Sequence, residues 1–295
     1  MSDRLYCCKI VDVSENPEVT TELLMSLDFE FSSWIDKEDD GVTYHTVYSE
    51  HMGGGNEAFL KIRSLFLDWR EFGVFIVELE TFEIEKEDWC EVWKKYFKIQ
   101  HITDKIVVKP TWLEYEPTPE QVVVEIDPGM SFGTGKHATT AFCLRMLEKL
   151  SNNNDIGNML DAGIGSGILT IAAHKLGYQD ISAFDIDEVA VDIARENLEL
   201  NNIPLADIDL KVSDLSDYNK ANKKFDLVIA NILGHILLAN KERLVKLLHK
   251  DSYIVLSGVL TKEFDDFSKQ FCDLGLKEVL RETEAEWTGG LFRFA

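Results

Sequence analysis

"LDAGIGSGI", residues 160–168, places Gly163, Gly165 and Gly167 at every second position between an apolar run and the start of a helical pattern. Glycines between a strand and a helix permit a tight turn and let the backbone approach a ligand closely. A dinucleotide-binding loop of this kind reads G-x-G-x-x-G/A. Counted from Gly163, its last position here is Ile168, whose side chain bars close helix–strand approach. The pattern is D-x-G-x-G-x-G instead.

Outward from this loop, short apolar runs alternate with helical patterns to about residue 275. "NMLDAG", "ISAFDID", "IDLKVSD", "FDLVIANI" and "SYIVLSGVL" read as strands. "TTAFCLRMLEKL", "ILTIAAHKLG", "EVAVDIARENLEL", "LLANKERLVKLLHK" and "EFDDFSKQFCDLG" read as helices. That succession implies a parallel sheet covered on both faces, with ligands bound outside the carboxyl ends of its strands. "DKIVVKPTW" and "QVVVEIDPG" add strands at the front of this region.

The first part of the chain reads differently. "LYCCKIVDV" is a strand and "NPEVTTELLMSL" a helix with Pro17 in its first turn. "FEFSSWIDKEDDGVTYHTVYS" is a hairpin around Asp40-Gly41. Gly53-Gly54-Gly55 breaks the chain, "NEAFLKIRSLFLDW" is a helix and "VFIVELE" a strand. The order β-α-β-β-α-β is that of a ferredoxin-like domain. The expected organisation is an α+β substrate-recognition domain over 1–86, a linker helix over 87–99 and a Rossmann-like α/β domain over 100–295.

Composition narrows the function. Apolar residues make up 45%, and Asp and Glu outnumber Lys and Arg 53 to 30, for a net charge of −23. Such a surface repels the nucleic-acid backbone, so no direct nucleic-acid contact is expected; it serves either to attract basic partners or for solubility alone. Cys7, Cys8, Cys90, Cys143 and Cys272 include no C-x-x-C pair, which argues against a zinc site or a disulfide framework. No signal peptide or membrane span is read. A soluble cytoplasmic monomer is expected.

Candidate site residues follow from the strand ends. Asp185 ends the strand after the glycine loop, 18 residues past Gly167, where a carboxylate accepts both hydroxyls of a ribose. Asp187 reads as the cap of the helix beginning at Glu188. Asp214 follows the next strand and is either an adenine contact or a loop carboxylate. Asn231 ends the strand "FDLVIANIL" and is either the acceptor for an incoming amine or a turn asparagine. "DPGMSFGTGKHATT", residues 127–140, looks like a phosphate loop, but His137 and Met130 stand where G-x-x-x-x-G-K-[ST] requires a hydroxyl and a glycine.

D-x-G-x-G-x-G resembles motif I of the S-adenosylmethionine (SAM) methyltransferases. With "IDPGMSFGTGKHATT", "FDIDEVAVDIARENLELN" and "FDLVIANIL...LSGVL" in this order, the chain resembles the ribosomal protein L11 methyltransferases. "DWCEVWKKYF" with "IVVKPTW" is also similar to that family. The resemblance implies SAM as cofactor and ribosomal protein L11 as substrate, methylated at lysine side chains or at the N-terminal α-amine. It implies Thr140, Gly163, Gly165, Asp185 and Asn231 as SAM contacts, with Phe132 and Gly133 close by. Asn231 is then also the residue expected to act in catalysis. Lys136 stands at a variable position and receives no role. His137 is either a packed loop histidine or a proton acceptor. The same core acting on a small molecule or another protein, a SAM-binding protein without turnover, and an NAD-dependent dehydrogenase are the rival readings.

Overall fold

The computed structural model describes residues 4–14, 17–25, 27, 29–35, 42–85, 98–127, 137–151, 156–218 and 223–294. The chain divides into two compact units, Met1–Tyr96 and Phe97–Ala295.

The first unit runs β1 (Arg4–Asp12), α1 (Pro17–Met25), β2 (Glu30–Ile35), β3 (Thr43–Tyr48), α2 (Gly54–Glu71) and β4 (Ile76–Glu85). Its antiparallel sheet has the order β2-β3-β1-β4. Alternate residues Cys8 and Ile10 of β1 join Val47 of β3 under Leu24 of α1 and Ala58, Ile62 and Trp69 of α2. The helical spacing of those last three is what turns one face of α2 inward. Helix α2 begins at Gly54, so the glycine run does not interrupt the chain as expected. A Cβ on Gly55 would lie 2.6 Å from the Cys7 carbonyl oxygen, so the missing side chain lets the helix start against β1. The Asp40-Gly41 turn lies outside the described residues. So does most of the expected linker helix, of which residues 98 and 99 are described and are not helical.

The second unit opens with β5 (Gln100–His101), β6 (Ile106–Lys109) and β7 (Val122–Glu125), which form a small mixed sheet. Then follow α3 (Ala138–Ser151), β8 (Met159–Ala162), α4 (Ile168–Lys175), β9 (Ile181–Asp185), α5 (Glu188–Leu200), β10 (Ile208–Val212) and β11 (Phe225–Asn231). The chain continues with α6 (Gly234–Ala239), α7 (Lys241–Lys246), β12 (Leu248–Leu260), α8 (Phe264–Cys272), β13 (Leu276–Glu284) and β14 (Trp287–Phe294). The main sheet has the order β10-β9-β8-β11-β12-β14-β13. Its first five strands are parallel, and β14 runs antiparallel to both neighbours.

Both faces of this sheet are covered. Along β11, Leu227 and Ile229 join one core with Leu144, Leu147 and Ile171, while Val228 and Ala230 join the other with Phe264, Phe267 and Phe271. A strand buried on both faces must read as an unbroken apolar run. The helix expected over residues 237–250 is instead split. Asn240 leaves helical geometry at φ −112° between α6 and α7, and His249 and Lys250 belong to β12. Asparagine competes for backbone hydrogen bonds and so favours helix ends.

The strand order positions the site. From β8 the chain steps to β9 and β10 on one side, then returns to β11 on the other. The carboxyl ends of β8 and β11 therefore flank a topological switch point, where open α/β sheets bind ligands. No described helix is long and apolar enough to cross a membrane.

Candidate active site

The loop after β8 is built to expose backbone. Gly163, Gly165 and Gly167 all have positive φ, at 89°, 53° and 84°. The Gly163 and Ile164 amides both donate to the Phe184 carbonyl at 2.9 Å. The Gly165 amide donates to Asp185 Oδ2 at 2.9 Å, and Asp185 Oδ1 accepts the Asp187 amide at 3.1 Å. Asp185 thus holds the glycine loop against the end of β9. Asp187 caps α5 by accepting the Val189 amide at 2.9 Å, as its sequence position predicts. The Ser213 amide donates to the Asp185 carbonyl at 2.8 Å, which sets Asp214 beside the same strand end. Asp214 itself accepts the Ser216 amide, and hydrogen bonds from the Ser216 side chain and then its amide hold the carboxyl below the usual range.

On the other side of the switch point, Asn231 Nδ2 donates to Thr140 Oγ1 at 3.2 Å. Thr140 is fully buried in the first turn of α3. Ser257, opposite Asn231 on β12, donates to the Thr139 carbonyl at 3.2 Å, so two adjacent strands hold the start of this helix. Asn231 Oδ1 is buried and has no hydrogen-bond partner among the described residues.

A steric contact joins the two sides. A Cβ on Gly163 with L geometry would lie 2.6 Å from Ile232 Cγ2, and one on Gly258 would lie 2.3 Å from the Ile232 carbonyl oxygen. Ile232 is therefore seated between two glycines of positive φ, directly after Asn231. Thr140, Asn231, Gly163, Gly165, Asp185 and Asp214 form one connected set through these contacts. Phe132, Gly133 and Lys136 lie outside the described residues.

Two further features of the site escaped the sequence. Asp161, fully buried under the glycine loop, accepts the Thr170 hydroxyl at 2.8 Å through Oδ2, while Oδ1 has no partner among the described residues. Burial pushes its carboxyl up to about 7, with the Asp185 charge adding to the effect. Its position in D-x-G-x-G-x-G was a signal that it belonged to the site. His137 Nδ1 lies 2.7 Å from Thr139 Oγ1, and its ring meets Trp287 edge-on with centroids 5.1 Å apart. Partial desolvation lowers the His137 pKa, against the opposing pull of Glu286 and Glu284. Nothing in the sequence paired position 137 with Trp287, the first residue of β14.

Two buried acceptors without a partner among the described residues, a glycine-rich loop and a carboxylate at a strand end suit one kind of ligand. It is cationic, carries N–H donors and bears neighbouring hydroxyls. SAM has all three features.

Comparison with known proteins agrees. The family model described as Ribosomal protein L11 methyltransferase (PrmA) matches residues 54–293. A ribosomal protein L11 methyltransferase of Ruminiclostridium cellulolyticum is 37% identical over 211 residues, covering 72% of this chain and 66% of that protein. One from Clostridium botulinum (strain Eklund 17B / Type B) is 40% identical over 217 residues, covering 74% of this chain and 67% of that protein. The chain thus spans about two thirds of the length of these relatives. The crystal structure of a ribosomal protein L11 methylase from Lactobacillus delbrueckii subsp. bulgaricus superposes with a TM-score of 0.60 at 30% identity, covering 66% of this chain and 98% of that one.

Proposed function

The chain belongs to the ribosomal protein L11 methyltransferase family, and on that premise we propose that it transfers methyl groups from SAM to ribosomal protein L11. The acceptors are lysine side chains, the N-terminal α-amine, or both. SAM supplies the electrophilic methyl of a sulfonium. The chain's own residues bind the cofactor and seat the nucleophile.

The observation that supports this best is the buried Oδ1 of Asn231 at the switch point, which has no hydrogen-bond partner among the described residues. An acceptor left unpaired in a buried place costs about 1–3 kcal/mol, so it is retained where a ligand satisfies it. Asn231 Oδ1 accepts an N–H of the incoming amine, and the bond from Nδ2 to Thr140 fixes which way the amide faces. Ile232, seated between Gly163 and Gly258, keeps that amide in place relative to the cofactor loop. Orientation of this kind is the main contribution available to an enzyme for an in-line displacement.

The amine attacks in its neutral form. A lysine side chain has a pKa of about 10.4 and an α-amine about 8, so the lysine requires the larger help from desolvation. Gly163, Gly165 and Asp185 hold SAM, with Asp185 on the ribose, Asp214 on the adenine and Asp161 near the positive charge. Thr140, Asn231, Phe132 and Gly133 complete the proposed cofactor set. The first unit recognises the protein substrate. The protein acts as a cytoplasmic monomer and does not touch nucleic acid directly, in keeping with its net charge of −23.

Mass spectrometry of purified L11 after incubation with this protein and SAM tests the proposal. Mass increments on lysines or on the N-terminal amine are expected. An unmodified L11, with methylation of a small molecule in the same preparation, would overturn the substrate assignment.

A further inference from the structure

Helix α5 carries an asparagine where its neighbours are apolar. Asn197 is 3% exposed and shares the buried face of the helix with Ala190, Ala194 and Leu198. Burying an amide is costly unless its groups are bonded, and an apolar side chain would fill the same place without that cost. Asn197 reaches two separate segments. Its Nδ2 donates to the Ser166 carbonyl at 2.8 Å, and its Oδ1 accepts the Asp127 amide at 3.4 Å. Asn201, one turn later, reaches only the nearer segment. It accepts the Glu125 amide at 2.9 Å and donates to the Glu125 carbonyl at 2.6 Å and to the Asn197 carbonyl at 2.8 Å.

Ser166 lies between Gly165, whose amide rests on Asp185, and Gly167, whose amide donates to the Ile164 carbonyl at 2.9 Å. Glycines on both sides leave the Ser166 carbonyl little steric restraint, so the hydrogen bond it accepts from Asn197 helps to set its direction. Asn197 supplies that bond from the buried face of α5.

We propose that Asn197 is a positioning residue for the cofactor loop, fixing the Ser166 peptide and coupling it to the exit of β7 at Asp127. The inference rests on the reading of this loop as the SAM site. Asn201, by contrast, is a structural bond within the same helix–strand contact. Without the Asn197 donor, the Ser166 carbonyl loses the bond that ties it to α5 and Asp127, and the Gly165–Gly167 segment is held less firmly when SAM arrives.

Titration calorimetry with SAM on the full chain, with melting temperatures alongside, separates the two asparagines. Asn197→Asp keeps the acceptor for Asp127 and loses the donor to Ser166. It is expected to weaken SAM binding about tenfold, the size of one lost buried hydrogen bond. Asn201→Asp is expected to lower the melting temperature comparably and to leave SAM affinity within about twofold. In steady-state assays Asn197→Asp raises the KM for SAM while the KM for L11 stays unchanged. SAM affinity of folded Asn197→Asp equal to that of the wild type would overturn the proposal, as would an equal loss in Asn201→Asp. Should Asn197→Asp fail to fold, hydrogen exchange on the wild type decides. SAM is expected to slow the Gly167 and Asp127 amides together, and protection of Gly167 with Asp127 unaffected would overturn the coupling. A wild type that binds no SAM would instead overturn the cofactor reading itself, and the role of Asn197 with it.

Discussion

Asn231 holds Thr140 through its amide nitrogen at 3.2 Å, which leaves its buried amide oxygen as the free end of a fixed fork. Direction at this oxygen comes from residue 140 as much as from residue 231. Asn231→Ala is expected to lower kcat on the order of 100-fold, the cost of misplacing a reacting group by about 1 Å. Thr140→Val keeps the side-chain shape but removes the acceptor, and is expected to lower kcat by a smaller factor in the same direction. SAM affinity, measured by calorimetry, should change far less than single-turnover rates in both variants. Rates near wild type in both would reduce Asn231 to a turn residue.

Asp161 predicts a pH dependence of stability. Its folded pKa of about 7 lies above the ordinary carboxyl value of 3.8, so the folded chain holds the proton more tightly than the unfolded one. Its contribution to stability therefore falls as pH rises between about 4 and 7, then stays at its lowest value. Asp161→Asn removes this dependence and is expected to stabilise the ligand-free protein at neutral pH. A cationic ligand prefers the ionised carboxyl, so wild-type SAM affinity should strengthen from pH 6 to 8 by about tenfold or less, and the variant should show no such rise. Urea denaturation and calorimetry across that range check both signs.

Asp185 accepts two backbone amides before any ligand is considered, at 2.9 and 3.1 Å. Asp185→Ala removes both and the proposed ribose acceptor at once. Hydrogen bonds to charged groups contribute about 1.5–3 kcal/mol each, so a loss of SAM affinity of at least tenfold is expected. Asp185→Asn keeps one oxygen and should fall between the variant and the wild type. Calorimetric affinities that do not change in either variant would remove Asp185 from the site.

At the opposite, amino end of the sheet, Asp226 accepts the Gly157 and Asn158 amides at 2.8 and 2.9 Å and pairs with His249. The Lys250 carbonyl, followed by Asp226, raises the His249 pKa. Despite an opposing desolvation effect, the backbone amides and His249 lower that of Asp226. The histidine contribution is complete below its ordinary pKa of about 6.5 and disappears as pH rises through the raised value. The aspartate contribution is complete above about 3.9 and disappears as pH falls through the depressed one. His249→Gln should flatten the loss of stability above pH 6.5, with an effect below about 1 kcal/mol because the pair is partly exposed. Denaturation midpoints at pH 6 and 8 measure it.

Much of this was legible in the sequence. Helix α5 begins where its aspartate cap and apolar spacing place it, because both signals are local. The parallel strands are legible because burial on both faces demands apolar runs. What stayed hidden depends on partners distant in sequence. Gly55 looks like a chain breaker until Cys7 is set against it. Asn197 looks like a water-facing residue of a helix until Ser166 and Asp127 close over it. Strand β13 alternates half-buried and exposed residues after Leu276, but its place at the sheet edge is fixed by pairing with β14, which local pattern cannot supply. The break at Asn240 separates two helices of six residues each, too short for periodicity to distinguish from one longer helix.

The seat of Ile232 has a consequence for mutational tolerance. Gly163 and Gly258 bring no functional group to the reaction, yet every substitution at either position adds a Cβ where Ile232 already stands. Any nonsynonymous change in a glycine codon, conservative or radical, meets the same obstacle. In a library of all single variants, both positions should be depleted uniformly, without regard to charge, polarity or volume. Catalytic positions leave a different imprint, in which chemically similar replacements survive in part. Two glycines far apart in sequence would thus share one profile, but they differ in rescue: a smaller side chain at residue 232 removes the methyl that opposes Gly163, whereas the obstacle at Gly258 is the residue 232 backbone, which every substitution keeps.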